Sequence, residues 1–348
     1  MLNIFGKIVS VLISIFSFGI FIFVHELGHF MAAKKAGVKV LEFAIGMGPQ
    51  ILCFKRAETE YSLRLFPFGG FVSMEGENEK SQDSRSFSVQ PIWKRTIILI
   101  AGAAMNLILG FLLSLIITVA KDYVSTTIIA EFNENAVTNQ WLQVDDKILK
   151  INNKKIKTTD DIVFNLAMIR DGKAVIEVLR DDEKLTFDVN FETVYLEDEK
   201  MNIPTLDFYV YSTKKTFKNV MHQSFFGAIS VVKAVWFSLL GLFSGVFSMN
   251  SLSGPIGTIE VISSTFNIKN MIPFFQVLMM MTINVGVFNL LPFPALDGGR
   301  VVFLLIEKIL GRPVPQKYEA IVNTVGLFLL FGLMIFTAFS DIRKLIGL

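Results

Sequence analysis

The 348-residue sequence contains a single cysteine, Cys53, which excludes an intramolecular disulfide and a thiolate metal cluster. Charge is also scarce: Asp, Glu, Lys and Arg make up 18% of the chain, where a soluble domain carries about 25%. Lys+Arg number 33 against 31 Asp+Glu, a net +2, so the basic face of a nucleic-acid binder is not expected. Histidine is rarer still, with three in the whole chain. Hydrophobic residues, by contrast, are 52%, and Phe alone numbers 34. They are concentrated in uncharged runs at Ile8–Val24, Thr96–Ala120, Met271–Leu296 and Ala320–Ser340. Those lengths suit membrane helices, which need about 17–25 mostly apolar residues, and they exclude a purely soluble enzyme. Lys7 before the first run resembles the start of a signal peptide, but no small-residue cleavage site follows, so a retained helix is expected.

The runs predict a polytopic α-helical membrane protein with about four transmembrane helices, at 8–31, 97–119, 273–295 and 320–340. Residues 121–220 carry Lys, Asp and Glu throughout and read as a soluble module. Strands are expected at Thr127–Glu131 and Lys147–Ile151, followed by a turn at Asn152-Asn153. A helix from Thr158 or Thr159 to about Ile169 then leads to a hairpin, Ala174–Leu179 and Leu185–Phe191, joined at Asp181-Asp182. The stretch 222–250 is apolar except for Lys233 and can span the bilayer, lie on its surface or tuck against other helices. Basic residues decide between these. From Lys34 to Arg95 there are ten Lys/Arg against seven Asp/Glu, and residues 300–319 hold four against two. The positive-inside tendency puts both connections in the cytoplasm, which requires an even number of crossings between them. Two are already supplied, so 222–250 is expected not to cross. Both termini and the 121–220 module then lie outside.

Two of the three histidines are His25 and His29, with Glu26 between them in the pattern His-Glu-x-x-His. On a helix, residues four apart lie one above the other, so both imidazoles can hold one zinc ion. Glu26 beside them is suited to accept a proton from a metal-bound water. Three ionisable groups on an apolar membrane helix are costly without a function or a partner. Lys34 and Lys35 follow closely, so at about 1.5 Å per residue the metal sits roughly 8 Å below the charged boundary. A catalytic zinc usually has three protein ligands. The candidates for the third are His222, beside the soluble module, and Asp297, which ends an apolar run at the depth of His29 and is favoured. The prolines and glycines around Asp297 let the backbone bend where it lines a cavity.

With these two motifs at matching depth, the chain resembles the site-2 protease family, the intramembrane zinc metalloproteases of peptidase family M50. It is most similar to the bacterial PDZ-containing branch of the regulator of sigma-E protease. The family's His-Glu-x-x-His matches His25-Glu26-Leu27-Gly28-His29, and its Asn-x-x-Pro-x-x-x-Leu-Asp-Gly matches Asn289, Pro292, Leu296, Asp297 and Gly298. The resemblance implies that His25, His29 and Asp297 hold the zinc and that Glu26 is catalytic. Gly46-Met47-Gly48-Pro49 resembles the family's Gly-x-Gly element, and Leu65–Glu77 its membrane-associated β-hairpin. Ala101-Gly102-Ala103-Ala104-Met105-Asn106 resembles the start of the second core helix, with Ala103 where proline is common. Leu252–Gly257 resembles a Gly-Pro segment that lies near the membrane surface in relatives. Val144–Asn152 resembles a Gly-Asp-x-Ile-x-x-Ile-Asn signature, with Gln143/Val144 where glycine is expected, and points to one circularly permuted PDZ domain.

The implied organisation is a first catalytic membrane part, 1–120, with a cytoplasmic loop and membrane β-hairpin at 42–77. An extracytoplasmic PDZ-like domain, 121–195, follows. A linker with a membrane-surface amphipathic segment, 196–270, leads to a second catalytic part, 271–348. The implied reaction is hydrolysis of a transmembrane segment of a single-pass membrane protein, already trimmed by another protease, in the bacterial cytoplasmic membrane. A strand edge within 61–73 can pair with the unwound substrate, and Asn106 or Asn289 can donate to the oxyanion. The PDZ-like domain is expected to filter substrates, such as an anti-sigma factor or a remnant signal peptide. An ion or solute transporter would need ionisable groups across the bilayer, whereas here they stand at one depth. A non-catalytic scaffold would not need the intact set of four motif residues. Metal content and Glu26→Gln separate both from a protease.

Overall fold

A computed structural model describes residues 4–77, 81–196, 201–245 and 253–346. Part of the expected linker (197–200), the end of the expected surface segment (246–250) and Leu252 of the Gly-Pro segment lie outside the described residues. In chain order the structure starts with helix α1 (Ile4–Ala36), strands β1 (Val40–Arg56) and β2 (Thr59–Met74), and helix α2 (Ile92–Ala120). Next come β3 (Tyr123–Phe132), β4 (Lys147–Ile151), β5 (Lys154–Lys155), α3 (Thr159–Ala167), β6 (Lys173–Arg180) and β7 (Glu183–Asn190). Strands β8 (Thr193–Leu196), β9 (Met201–Pro204) and β10 (Phe208–Lys214) precede α4 (Phe217–Phe243) and α5 (Pro255–Thr265). Helices α6 (Ile272–Asn289), α7 (Asp297–Leu310) and α8 (Gln316–Leu345) complete the chain.

The chain is a polytopic α-helical membrane protein. Among the described residues, five helices, α1, α2, α4, α6 and α8, are long and apolar enough to cross a bilayer. That is one more than the four segments expected, and the addition is α4. The expected span at 273–295 is also shorter in the structure: α6 ends at Asn289, because Pro292 and Pro294 remove backbone donors and turn the chain into a loop.

The chain divides into two compact units, Met1–Gly110 with Leu252–Leu348, and Phe111–Ser251. In the first, β1 and β2 form a long antiparallel pair that folds back on itself. Phe43 pairs with both Val72 and Tyr61, and Tyr61 also pairs with Phe54. Four strand segments result, in the order Gly70–Met74, Val40–Ile45, Tyr61–Leu63, Leu52–Arg56. The folding is possible because Gly46, Gly48 and Gly69 take left-handed backbone conformations. Gly70–Met74 is an edge: among the described residues no second strand pairs with it. Buried Ala33 of α1, Val40 and Phe43 of β1, Val72 of β2, Ile98 of α2 and Leu304 of α7 share one core, which seats the hairpin against the helices.

In the second unit, β10, β3, β4, β6 and β7 form an antiparallel sheet in that order, with β5 paired to β4. Strands β3, β4, β6 and β7 fall at the four positions expected from the sequence, and Asn152-Asn153 and Asp181-Asp182 turn with positive φ. Thr158 caps α3 by accepting from the Asp161 backbone N–H, with Asp160 and Asp161 in the first turn. The left-handed residue before β4 is Asp145 (φ 71°), one position after the Gln143/Val144 pair expected to replace glycine. Asp tolerates that conformation better than most residues, so the turn survives without glycine. The sheet also takes in β10, from the stretch read as linker.

Candidate metal centre

Helix α1 brings His25 and His29 onto one face, and α7 begins with Asp297 after the loop Leu290–Leu296. The three side chains meet. His25 Nε2 and His29 Nε2 are 3.2 Å apart, and Asp297 Oδ2 lies 3.0 Å from the first and 3.2 Å from the second. The His29 Nδ1 lies 2.8 Å from the Ile98 carbonyl oxygen, which can only accept, so Nδ1 carries the proton and Nε2 presents a lone pair. His25 Nδ1 stands 3.4 Å from the side-chain amide of Asn106, whose Oδ1 is buried without a donor. With that amide turned so that its oxygen accepts from His25 Nδ1–H, the oxygen gains a donor and His25 also presents Nε2 as a lone pair. Asp297 Oδ2 is likewise buried and accepts no hydrogen bond, although two imidazole nitrogens face it.

Three lone-pair atoms converging in a site where both histidines are at least nine-tenths buried repel one another unless a cation sits between them. A tetrahedral zinc with bonds of about 2.0–2.1 Å sets its ligands about 3.3 Å apart. The observed triangle, 3.0–3.2 Å on a side, is nearly that face. The residues therefore fit a metal ion with one position left open. His222, the other histidine weighed as a ligand, is on α4 in the second unit, against Phe226.

The approach of α2 to this cluster depends on absent side chains. A Cβ on Gly28 would fall 2.3 Å from the Ala101 carbonyl oxygen, and one on Gly102 2.3 Å from His29 Nε2. Glycine inside the His-Glu-x-x-His motif thus lets α2 lie against α1, and glycine on α2 leaves room for the imidazole. Arg95 at the start of α2 pairs bidentately with Glu307 of α7 (2.5 and 3.0 Å), tying the helix beneath His29 to the helix that begins with Asp297.

A cavity of about 270 Å³ opens onto the cluster. Glu26 lines it together with Phe71, Val72 and Met74 of the β2 edge and Asn289 at the end of α6. Asn289 Nδ2 donates to the Val285 carbonyl (2.9 Å), whereas Asn106 is wholly buried behind His25. Two further lining residues, Glu77 and Arg300, form an ion pair across the cavity wall. Glu77 ends the segment that resembles the family's hairpin and Arg300 follows the Leu-Asp-Gly motif by two residues, but nothing in the sequence says that they meet.

The family model described as "Peptidase family M50" matches residues 13–333. A Clostridium perfringens protein bearing the name of a zinc metalloprotease is 34% identical, over 95% of this chain and 98% of its own. A Fusobacterium nucleatum protein named in the same way is 33% identical, over 96% and 98%. The regulator of sigma-W protease RasP of Bacillus subtilis is 29% identical over 97% and 99%. Motif, cluster and full-length similarity lead to one conclusion: the chain belongs to peptidase family M50 and is a zinc metalloprotease of the branch that includes RasP.

Proposed function

We propose that this protease cuts single-pass membrane proteins within their transmembrane segment, with zinc held by His25, His29 and Asp297. The observation that carries the reading is the triangle of lone-pair atoms beside Glu26, on a helix with an apolar run long enough to span the bilayer. When bound, zinc supplies Lewis-acid polarisation of the scissile carbonyl and lowers the pKa of a coordinated water. Glu26 takes the proton of the attacking water and returns it to the leaving amine. Asn106 orients His25, and Asn289, which faces the cavity, is the donor available to the oxyanion. The substrate enters as an extended strand along Gly70–Met74, the edge nearest Glu26, because backbone pairing binds with little regard to side chain.

In this reading four helices cross the bilayer: α1, α2, α6 and α8. The cluster lies near the cytoplasmic face, and both termini and the PDZ-like sheet domain are outside. Helix α4 does not cross, and its packing supports this. Over half its length it lies against α3 of the sheet domain: Ser230 and Lys233 both reach the buried Asp161 (2.9 Å each), and Phe237 packs on Phe164. After Phe237 only six helical residues remain, far short of the roughly 20 a crossing needs. The sheet domain restricts access to substrates already trimmed by another protease. The setting is a bacterial cytoplasmic membrane, with remnant signal peptides or anti-sigma factors as the substrate class, in keeping with the name of the RasP relative.

The test is reconstitution with zinc and a model single-pass substrate lacking its ectodomain, comparing wild type with Glu26→Gln by mass spectrometry of the fragments. Cleavage inside the membrane segment by wild type, reduced about 10²–10⁴-fold or more in Glu26→Gln while zinc stays bound, is the expected result. Cleavage only outside that segment overturns the intramembrane assignment, and absence of bound zinc overturns the metal assignment.

A further inference from the structure

The loop that delivers Asp297 is held from outside by α8. Its residue Ala295 has φ 71°, a left-handed conformation that alanine rarely adopts and that the surroundings must enforce. Within the loop, Phe293 N–H donates to the Leu291 carbonyl (2.7 Å) and Leu296 N–H to the Phe293 carbonyl (3.2 Å). The Ala295 N–H points away from the loop and donates to Asn323 Oδ1 on α8 (3.1 Å). Three residues on, and so on the same face of α8, Gly326 is packed onto Pro294: a Cβ there would fall 2.4 Å from the Pro294 Cβ and 2.6 Å from its carbonyl oxygen.

Around these contacts much of α8 is open. Ile321, Val325, Phe328 and Leu329, between and beside them, are each at least half exposed. Further ties are Glu319, whose Oε1 lies 4.0 Å from Arg300 Nε on α7, and, far along the helix, Asp341, which accepts from the Gly254 and Gly257 backbone N–H groups at the start of α5 (3.1 and 2.9 Å). Near its N-terminal end α8 walls a second cavity of about 490 Å³, which shares Glu77, Ala295 and Arg300 with the catalytic one. An asparagine in an apolar helix is costly unless it bonds a neighbour, and the partner here is the backbone two residues before the metal ligand.

We propose that Asn323 and Gly326 are positioning residues for the metal centre: by holding Pro294-Ala295 in its left-handed turn, α8 orients Asp297 and sets how tightly the ion is bound. The inference rests on the metalloprotease reading. Neither residue touches the metal or the substrate carbonyl; both act through the backbone that presents Asp297.

The experiment uses the full-length protein in detergent and reads metal binding directly, by competition for zinc with a chromophoric chelator and by the visible spectrum of the cobalt-substituted protein. Asn323→Leu keeps the volume and removes the acceptor, and a 10–100-fold weaker affinity with an altered cobalt spectrum is expected, as for loss of other groups that orient a ligand. Asn323→Asp retains an acceptor oxygen and is expected to recover most of the affinity and the wild-type spectrum. Gly326→Ala pushes on Pro294 and is expected to weaken binding as well, which keeps the test open should Asn323→Leu fail to fold. Phe328→Ala, on an exposed face of the same helix, is expected to bind as wild type does. Wild-type affinity and spectrum in a folded Asn323→Leu or Gly326→Ala protein overturn the inference and leave the metalloprotease reading intact. Failure of the wild-type protein to bind zinc or cobalt overturns that reading itself.

Discussion

His29 is constrained on every side that matters to a metal ligand. Its Nδ1 is bound to the Ile98 carbonyl, one ring edge lies over Gly102, and Nε2 faces His25 and Asp297. The two glycines in this packing have different tasks, and substitution separates them. Gly102→Ala places a methyl group on the imidazole and is expected to lower zinc affinity about 10–100-fold, measured by chelator competition. Gly28→Ala meets backbone instead of a side-chain ring, so the helices must part. Its expected effect is an overpacking loss of about 1–3 kcal/mol, read as a lower midpoint of thermal unfolding in detergent. Equal effects of both on metal and stability would count against this division.

Among the elements, α4 has two characters at once. Its composition is that of a membrane span, yet its lone midsequence charge, Lys233, is satisfied by Asp161 of the adjoining sheet domain. Asp161 is fully buried and also accepts from the Ser230 hydroxyl and the Lys157 backbone N–H. Asp161→Ala therefore strands several donors, and a loss of about 2–3 kcal/mol is expected, with faster hydrogen exchange along α4. The Lys233 side chain is 44% exposed, so Lys233→Ala is expected to cost about 1 kcal/mol or less because solvent screens the pair. A larger loss from Lys233→Ala than from Asp161→Ala would reverse that assignment. The sequence shows Lys233 as an isolated charge, but a partner 72 residues away is visible only after folding.

On the scale of the whole molecule, the proposed arrangement places the sheet domain and both ends of α4 on one side of the membrane. This is tested by thiol labelling in a Cys53→Ser background. Lys154→Cys and Ser244→Cys are expected to react from outside intact cells, and Arg312→Cys only after the cells are opened. Labelling of Ser244→Cys from the cytoplasmic side would make α4 a fifth crossing. Neither the length nor the hydropathy of α4 decides the matter, since both meet the requirement of a span.

Much of this protein was legible before folding, and for a physical reason. Membrane helices are read from uninterrupted apolar length, the sheet domain from alternation and turn residues, and His25, Glu26 and His29 from a spacing that a helix converts directly into shared orientation. Asp297 was legible through its resemblance and its depth. What tertiary structure alone decided is everything that depends on one backbone approaching another. The folding of the hairpin into four segments, the placement of Asn106 beside His25, the Glu77–Arg300 pair at the cavity wall and the hold of Asn323 on Ala295 all join residues distant in sequence. No local periodicity encodes such meetings, because they are set by which surfaces pack and by where glycine lets them come close.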